Sequence, residues 1–369
     1  MYNYKNYTPI LRWRAAEKTA IDKLSSEDKK NIVPLIELLM PQSKNVDQNK
    51  TAKDLLNESI EQFQSKLSEI PEQIKKYWGN DPIFIDVQLI DGSIRAKALE
   101  DLLNNCANLE IAIIPVVNLM PTLGTSADVD TRCVAVEFSK KSGNGLCIRI
   151  NKSNLDEKSL PTDVDSFIGE NALDIKNIDL VVDFKIIDDN VSLEYVLNKI
   201  KTIPHTKEWR RFILSGGSFP KDLSMFEKHN QYNVPRKDWL IWKDLIAKLE
   251  RAPSFSDYTI QHPLYTPTQI QIINPSASIR YTLEDNWLVI RGEGLRNPKG
   301  AGFKQYPALA SLLTKQKEFK GEDFSFGDKY IAEKAIDINT KNTGNPKTWL
   351  QAGINHHMTL VATQIAKLP

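Results

Sequence analysis

The chain has 369 residues, of which 48 are Lys or Arg and 47 are Asp or Glu, so its formal net charge is +1. This balance excludes a polybasic protein that coats nucleic acid, and any anion-binding surface must therefore be local. The three cysteines are widely spaced and form no C-x-x-C pair, which favours a reducing, cytoplasmic location without disulfides. Since no stretch reaches the roughly 20 apolar residues that a bilayer requires, we expect no contact with membranes.

Short apolar runs recur along the first 265 residues, and most are separated by a segment with helical spacing. These runs are residues 8–13, 31–39, 82–89, 111–120, 145–151, 178–187, 211–218 and 258–261. A short continuous apolar run is typical of a strand buried on both faces, and about eight such strands alternating with helices are typical of a (β/α)8 barrel. We therefore predict an α/β fold with a TIM-barrel-like body over residues 1–265.

Helices are predicted between these strands wherever apolar residues recur at helical spacing. They cover residues 14–24, 51–77 with an interruption near Pro71, a segment ending at 105, and residues 128–141, 190–200 and 238–249. After Pro263 the alternation fades, and residues 278–283 and 287–290 predict an antiparallel hairpin. A further helix over residues 306–317 and a short one over 359–367 complete a C-terminal extension, residues 266–369, that we expect to pack on the barrel.

Most of the predicted strands carry a polar residue towards the carboxyl end. These residues are Glu37, Asp86, Asn118, Arg149, Asp183 and Ser215. In a barrel they converge on one mouth, where enzymes of this fold hold their chemistry. A buried carboxylate is costly unless it is paired, so the acids have two interpretations. They form an active site, or they pair with Arg12, Arg149 or backbone N–H groups and close the top of the barrel.

Three arginines and one glycine-containing segment near the predicted mouth are candidates for anion binding. Arg12 and Arg14 form either an anion clamp or a solvated pair, and Arg149 is suited to hold a phosphate through two hydrogen bonds. The segment 215–218, Ser-Gly-Gly-Ser, either presents backbone N–H groups to a phosphate or is an ordinary turn.

The extension contains a loop, residues 291–306, that combines glycine with positive charge. Its cations are Arg291, Arg296, Lys299 and Lys304, and its aromatic residues are Phe303 and Tyr306. Cations and ring faces on a flexible backbone suit a phosphodiester chain with unstacked bases. The alternative is a solvated loop whose aromatic rings pack into the core.

The adjacent pair His356-His357 is a poor metal site, because neighbouring residues on a helix point about 100° apart. We predict a structural hydrogen bond for one ring and a substrate contact for the other. The remaining histidines show no ligand spacing, so we predict no metal site and no cofactor.

Four segments together, residues 7–17, 33–37, 348–350 and 355–357, resemble the beta protein family of T-even phages and bacteria, and the likeness spans nearly the whole chain. Some bacterial relatives are associated with anti-phage defence, and a DNA glycosylase acting on modified phage cytosine is similar to the family. The resemblance therefore implies removal of a base, modified cytosine in particular, from phage DNA. It supplies no catalytic positions.

The residues can be tested separately for such chemistry. Hydrolysis of an N-glycosidic bond passes through an oxocarbenium-like sugar, which a carboxylate stabilises. We assign Glu37, Asp86 and Asp183 as catalytic, and we expect their repulsion to raise one pKa. The base must leave the stack to reach the mouth, so aromatic residues are needed to receive it. The predicted substrate contacts are Arg12, Trp13, Asn118, Arg149, Ser215, Arg291, His356 and His357, and the predicted DNA contacts are Arg296, Lys299, Phe303, Lys304 and Tyr306.

Two other classes of function stay open. The same carboxylates could hold Mg²⁺ in a phosphodiesterase or nuclease. A non-catalytic module that binds nucleic acid or a phage component is also compatible with a barrel, because a fold does not dictate a function.

Overall fold

The computed structural model describes residues 4–42, 50–119, 125–265 and 274–368. Its strands are β1 (Tyr7–Arg12), β2 (Leu35–Glu37), β3 (Ile83–Asp86), β4 (Ile113–Asn118), β5 (Leu146–Asn151), β6 (Ile178–Ile186), β7 (Arg211–Gly217), β8 (Asn230–Pro235), β9 (Ser254–Asp257), β10 (Ser276–Thr282) and β11 (Asn286–Gly294). Parallel strands β1 to β7 and β9 close into an eight-stranded barrel. The predicted α/β barrel is confirmed.

Helices alternate with the barrel strands and continue into the extension. They are α1 (Ala15–Asp22), α2 (Ser26–Lys30), α3 (Ala52–Leu67), α4 (Glu69–Tyr77), α5 (Gly92–Asn108), α6 (Ser126–Ser142), α7 (Lys152–Asp156), α8 (Leu160–Glu170), α9 (Leu193–Lys201), α10 (Lys237–Ile246), α11 (Gln305–Thr314), α12 (Phe326–Ala335) and α13 (Pro346–Ala366). The predicted break in the long second helix falls at Ser68, where α3 gives way to α4.

The last barrel strand lies earlier than predicted. The apolar run 258–261 forms a turn, and β9 covers Ser254–Asp257 instead. The sequence did not predict β9 because its inward side chains, Ser254 and Ser256, are small and polar. Its outward Phe255 packs on Trp239 and Trp242.

The predicted hairpin is confirmed as β10 and β11, and β8 adds a third antiparallel strand to it. Side chains along β8 are exposed or half-buried, so it lacks the apolar pattern that predicts a strand. Helix α13 is far longer than the predicted segment 359–367. Asn345 caps it by accepting hydrogen bonds from the N–H groups of Lys347 and Thr348, and Pro346 occupies its first position.

Alternation along the strands determines which residues reach the mouth. Apolar side chains fill the middle of the barrel, among them Ile10, Leu35, Phe84, Val181 and Ile213. Because successive side chains in a strand point to opposite faces, the next inward position on each strand lies two residues further on. These positions are Arg12, Glu37, Asp86, Asn118, Arg149, Asp183, Ser215 and Tyr258. The sequence thus builds an apolar layer with a polar layer directly above it.

Helix α13 is joined to the barrel by buried polar contacts. His357 Nε2 lies 2.8 Å from Asp257 Oδ2, and the Tyr7 hydroxyl donates to Asp257 Oδ1 at 2.6 Å. Asn355 donates to the carbonyl oxygen of Ala20, and His356 Nδ1 lies 2.8 Å from Asp328 Oδ2. Both histidines are fully buried, so the structure places the His-His pair in the contact between α13, the barrel wall and α12.

Asp238, at the start of α10, gives the fold a pH dependence. Its Oδ1 accepts a hydrogen bond from Ser218, its Oδ2 has no partner in the described structure, and burial together with the charge of Asp257 raises its pKa to about 7. Between the unfolded pKa of about 4 and this folded value, the folded state binds a proton that the unfolded state has released, so this group's contribution is fully present below about pH 4 and is lost as pH rises from 4 to 7. We expect Asp238→Asn to unfold at higher urea concentration than the wild type at pH 8.5, with little difference at pH 3.5. Equal midpoints at both pH values would contradict this.

Candidate active site at the barrel mouth

Arg149 lies at the centre of the polar layer and contacts all three predicted catalytic acids. Its Nη1 lies 2.6 Å from Asp86 Oδ2 and 3.0 Å from Glu37 Oε1. Its Nη2 donates to Asp183 Oδ2 at 2.7 Å, and its Nε donates to the same oxygen at 3.1 Å. The four side chains are at most 5 % exposed. The structure therefore brings the acids of β2, β3 and β6 together through the one guanidinium group of β5.

Tyr258 and Lys185 complete this cluster, which we call the mouth cluster: Glu37, Asp86, Arg149, Asp183, Lys185 and Tyr258. The Tyr258 hydroxyl donates to Asp183 Oδ2 at 2.6 Å and accepts from Arg149 Nη2 and Lys185 Nζ, at 2.6 and 2.8 Å. Lys185 Nζ also lies 3.2 Å from Asp183 Oδ2 and 3.6 Å from Glu37 Oε1. A continuous hydrogen-bonded path therefore runs from the amine through the phenol to the buried carboxylate.

Tight backbone turns fix the acids at the strand ends. Asp86 Oδ1 accepts from the backbone N–H of Gln88 at 2.9 Å, and Asp183 Oδ1 accepts from that of Lys185 at 2.8 Å. Lys185, at a register shift in β6, and Thr259, in the turn after β9, both have φ values of +58°. Left-handed backbone is unfavourable for residues other than glycine, and such strain is concentrated at functional sites.

The charges of the mouth cluster stabilise the ionised form of Asp183. Burial alone would raise the pKa of Asp183, but the charges of Lys185 and Arg149 and the hydrogen bond from Tyr258 lower it to about 2. Repulsion between carboxylates alone would raise the pKa of Asp183. Burial raises the pKa of Tyr258 well above its ordinary value, so its phenol stays protonated at neutral pH.

Arg12 and Tyr265 lie at the rim of the mouth. Arg12 donates to the carbonyl oxygens of His262 and Pro263, both at 2.9 Å, and its Nε is 3.8 Å from Glu37 Oε2. The guanidinium groups of Arg12 and Arg14 lie 5.4 and 5.1 Å from the centre of the Tyr265 ring. Arg12 thus holds the loop after β9 in place, whereas Arg14 is exposed.

Packing explains the glycine pair that follows Ser215. A Cβ on Gly216 would overlap Ile187, and one on Gly217 would lie 2.7 Å from Pro263 Cγ. The glycines are thus required by close packing, which leaves their predicted role in phosphate binding without support. Ser215 is buried, and its hydroxyl has no hydrogen-bond partner in the described structure.

Other predicted contacts fall into two groups. Asn118 pairs with Arg149 across β4 and β5, and the backbone N–H of Trp13 donates to the carbonyl oxygen of Glu37, so both lie beside the mouth cluster. In the extension, Arg291 donates to the carbonyls of Leu223 and Phe226 and supports the three-stranded sheet.

The two aromatic residues of the basic loop differ in burial. Tyr306 is buried and stacks on Trp349 at 5.0 Å, as the alternative reading of this loop predicts. The other predicted DNA contacts in the loop, Arg296, Lys299, Phe303 and Lys304, have exposed side chains.

Sequence reasoning missed Lys185, Tyr258 and Tyr265. The sequence predicts a strand at residues 258–261, but these residues form a turn. Tyr258 is recognised as an inward-pointing residue only once β9 is known to cover Ser254–Asp257. Lys185 follows Asp183 by two positions, and the sequence does not predict its left-handed backbone conformation. An acid followed by a lysine at the end of an apolar strand is the signal that was available.

A metal site is not evident in the described part of the chain, where no group of three His, Cys, Asp or Glu side chains is arranged to hold an ion. Between the acids of the mouth cluster lies the guanidinium group of Arg149. In the same residues no helix is long and apolar enough to cross a membrane.

Among the solved structures that resemble the chain are two epimerases with distant likeness. The 3-keto-D-glucoside 4-epimerase of E. coli is 12% identical with a TM-score of 0.32, over 71% of this chain and 94% of that one. D-Psicose 3-epimerase from Clostridium cellulolyticum H10 is also 12% identical with a TM-score of 0.32, over 68% and 84% of the two chains. Scores this low carry no argument about the activity of this chain.

Sequence comparison is more informative. "Protein beta" of Enterobacteria phage P4 is 26% identical over 372 residues, covering 96% of this chain and 92% of that protein. The family model described as "Beta protein" matches residues 7–363. This match includes every barrel strand and all but the last residues of α13, and it shows that the chain belongs to the beta protein family.

Proposed function

We propose that this chain is an enzyme with its active site at the mouth cluster, and that it hydrolyses the N-glycosidic bond of a base in DNA. Modified cytosine in phage DNA is the proposed substrate, and anti-phage defence is the proposed role. The observation that carries the proposal is the close approach of carboxylates from neighbouring strands, with a protonated phenol beside them.

The spacing of the acids suits glycosidic chemistry. Glu37 Oε1 and Asp86 Oδ2 lie 3.0 and 2.6 Å from the same nitrogen of Arg149, so these oxygens are at most about 6 Å apart. Carboxyl groups about 5 to 5.5 Å apart are typical of glycosidases in which one acid contacts the sugar carbon directly. A larger gap is needed where a water molecule attacks. Because Arg149 lies between these acids, we place the sugar above the cluster, where a carboxylate oxygen stabilises the sugar cation directly.

The remaining side chains supply complementary roles. Tyr258 keeps its proton at neutral pH and donates it to Asp183 in a hydrogen bond, so it holds that carboxylate in position below the sugar. Ser215 has an unused hydroxyl, and Asn118 lies beside Arg149, so both are placed to contact the edge of a base. Tyr265 offers a partly exposed ring face at the rim.

DNA as the polymer is supported by local positive charge. Arg14 is exposed at the rim, and the loop between β11 and α11 exposes further cations beside Phe303. Such a combination of charge and ring faces suits an unstacked strand. With a net charge of +1, the molecule as a whole supplies little nonspecific attraction, so these local groups must provide it.

The test is base release from DNA. Purified protein is incubated with unmodified DNA and with phage DNA that contains modified cytosine, with and without EDTA, and free base and alkali-labile sites are measured. We expect release from the modified DNA that survives EDTA and falls by about 10²- to 10⁴-fold in Glu37→Gln or Asp86→Asn. Glu322→Gln, which changes an exposed acid, is the matched control and should retain full activity.

Two other outcomes would replace the proposal. Strand cleavage that EDTA abolishes would make the protein a metal-dependent nuclease. Binding of DNA or a phage component without any chemical change, unaffected by Glu37→Gln, would make it a recognition module.

A further inference from the structure

We propose that Lys185 is a nucleophile that forms a Schiff base with the aldehyde of an abasic deoxyribose, which gives the protein a strand-cleaving lyase activity. This inference rests on the proposed function for the origin of the abasic site. It adds a covalent step, a named residue and a second product.

The amine of Lys185 lies where a sugar carbon would bind. Its Nζ is 2.8 Å from the Tyr258 hydroxyl, 3.2 Å from Asp183 Oδ2 and 3.6 Å from Glu37 Oε1. A sugar positioned for attack or stabilisation by Glu37 is therefore also within reach of this amine. Covalent catalysis requires a base beside the nucleophile, and Glu37, which Tyr258 does not hold, is the carboxylate that can take this role.

Lys185 differs from the other members of the cluster in its exposure. The lysine side chain is 32% exposed, whereas Glu37 is 5% and Asp183 is 0% exposed. The mouth cluster therefore presents an amine to solvent and keeps its acids and its arginine behind it. Of the cluster residues with charged side chains, Lys185 is the most exposed to solvent.

The backbone of Lys185 lies at an irregularity of β6, where the pairing with β7 shifts between Asp183 and Ile186. Its φ of +58° is unfavourable for any residue with a Cβ, and strain of this kind persists where surrounding structure imposes it. Arg149 already contacts all three acids, so a strained lysine is not needed to pair any one of them.

The proposed reaction balances without a cofactor. Glu37 takes a proton from the Lys185 ammonium, and the neutral amine attacks C1′ of the ring-opened sugar. The protonated Glu37 then returns that proton to the carbonyl oxygen, which leaves as water as the iminium ion forms. A carboxylate removes a proton from C2′, and the C3′–O bond breaks with its electron pair on the phosphate of the downstream strand. Water then hydrolyses the iminium ion, releases an unsaturated aldehyde and restores the lysine. Within the cluster, Glu37 is the carboxylate nearest to the amine that is not held by Tyr258.

The test uses an oligonucleotide with one preformed abasic site, so that base removal is bypassed. The full chain is incubated with this DNA and sodium borohydride, which reduces an iminium ion to a stable amine, and the adduct is located by peptide mass mapping. We expect an adduct on Lys185 that is lost in Lys185→Arg, because arginine keeps the charge but forms no Schiff base under these conditions. Lys199→Gln is the matched control, since Lys199 is also partly buried, lies over the Tyr195 ring and pairs with Asp156.

Each outcome decides the inference separately from the proposed function. No adduct, an adduct mapped to another amine, or full trapping by Lys185→Arg would overturn it. Trapping on Lys185 without base release from any DNA would leave the lyase in place and reject the glycosylase. Base release without trapping would leave the glycosylase and reject the lyase.

Discussion

Replacing Arg149 with methionine is expected to destabilise the protein by about 3–5 kcal/mol and to abolish activity. Methionine fills much of the same volume but leaves Glu37, Asp86 and Asp183 without the cation that contacts all of them. Uncompensated buried charge is among the largest costs a single substitution can cause. Urea unfolding at pH 7 measures this loss.

The pH dependence of Arg149→Met distinguishes lost charge from lost packing. In the wild type the pKa of Asp183 is about 2, below its unfolded value, so its contribution is present above pH 4 and is lost as pH falls through 2. Without Arg149, only Lys185 and the hydrogen bonds from Tyr258 and the Lys185 backbone oppose the effect of burial, so the pKa of Asp183 rises and its protonation costs the folded state less. The gap between variant and wild type should therefore narrow from pH 7 to pH 4.5.

The control for Arg149→Met is the same substitution at an arginine outside the mouth cluster. Arg132, a partly exposed residue on α6, should change stability by less than about 0.5 kcal/mol when replaced with methionine. If Arg149→Met were as stable as the wild type at pH 7, the mouth cluster would not depend on its central cation.

Gly327→Ala is the second substitution for which we expect a large effect. A Cβ at this position would overlap the carbonyl oxygen of Ala352 in α13 and lie 3.1 Å from the backbone nitrogen of His356. Backbone atoms cannot rotate away, so α12 must shift, and that shift breaks the hydrogen bond from Gly327 N to Asn355 Oδ1. We expect a loss of about 1–3 kcal/mol, measured by urea or thermal unfolding.

Gly169→Ala is the matched control for Gly327→Ala. Gly169 also lies in a helix, α8, but a Cβ there would meet no atom within 4 Å. Alanine is favoured over glycine in a helix by about 0.5–1 kcal/mol, so this variant should be as stable as the wild type or more so. A loss in both variants would show that helix contacts at residue 327 are not the cause.

The barrel was predictable because its strands are apolar runs with polar residues near their carboxyl ends. Glu37, Asp86, Arg149 and Asp183 were all identified from this pattern, and two-residue alternation places them on one inward layer. The structure thus groups them as strand order implies. Their roles in catalysis stay predictions.

The contacts of Arg149, strands β8 and β9, and the burial of the His-His pair could not be predicted, because they depend on residues that are distant in sequence. The central position of Arg149 follows from strand register and side-chain length, so the sequence could not show that one guanidinium contacts three acids. The inward serines of β9 resemble a loop, and β8 has polar exposed side chains because it forms the edge of a separate sheet. Likewise the burial of His356 and His357 depends on Asp328 and Asp257, which are far from them along the chain.

The contact of α13 with the barrel has a consequence for synthesis of the chain. Tyr7 in β1 and His357 in α13 share Asp257, and α13 also packs on α1. At roughly 5–20 residues per second, a ribosome completes α13 about 15–70 s after β1. For that time the outer face of the first strand and helix is apolar and uncovered, so the nascent chain should be a client of ribosome-associated chaperones until residue 366 has emerged.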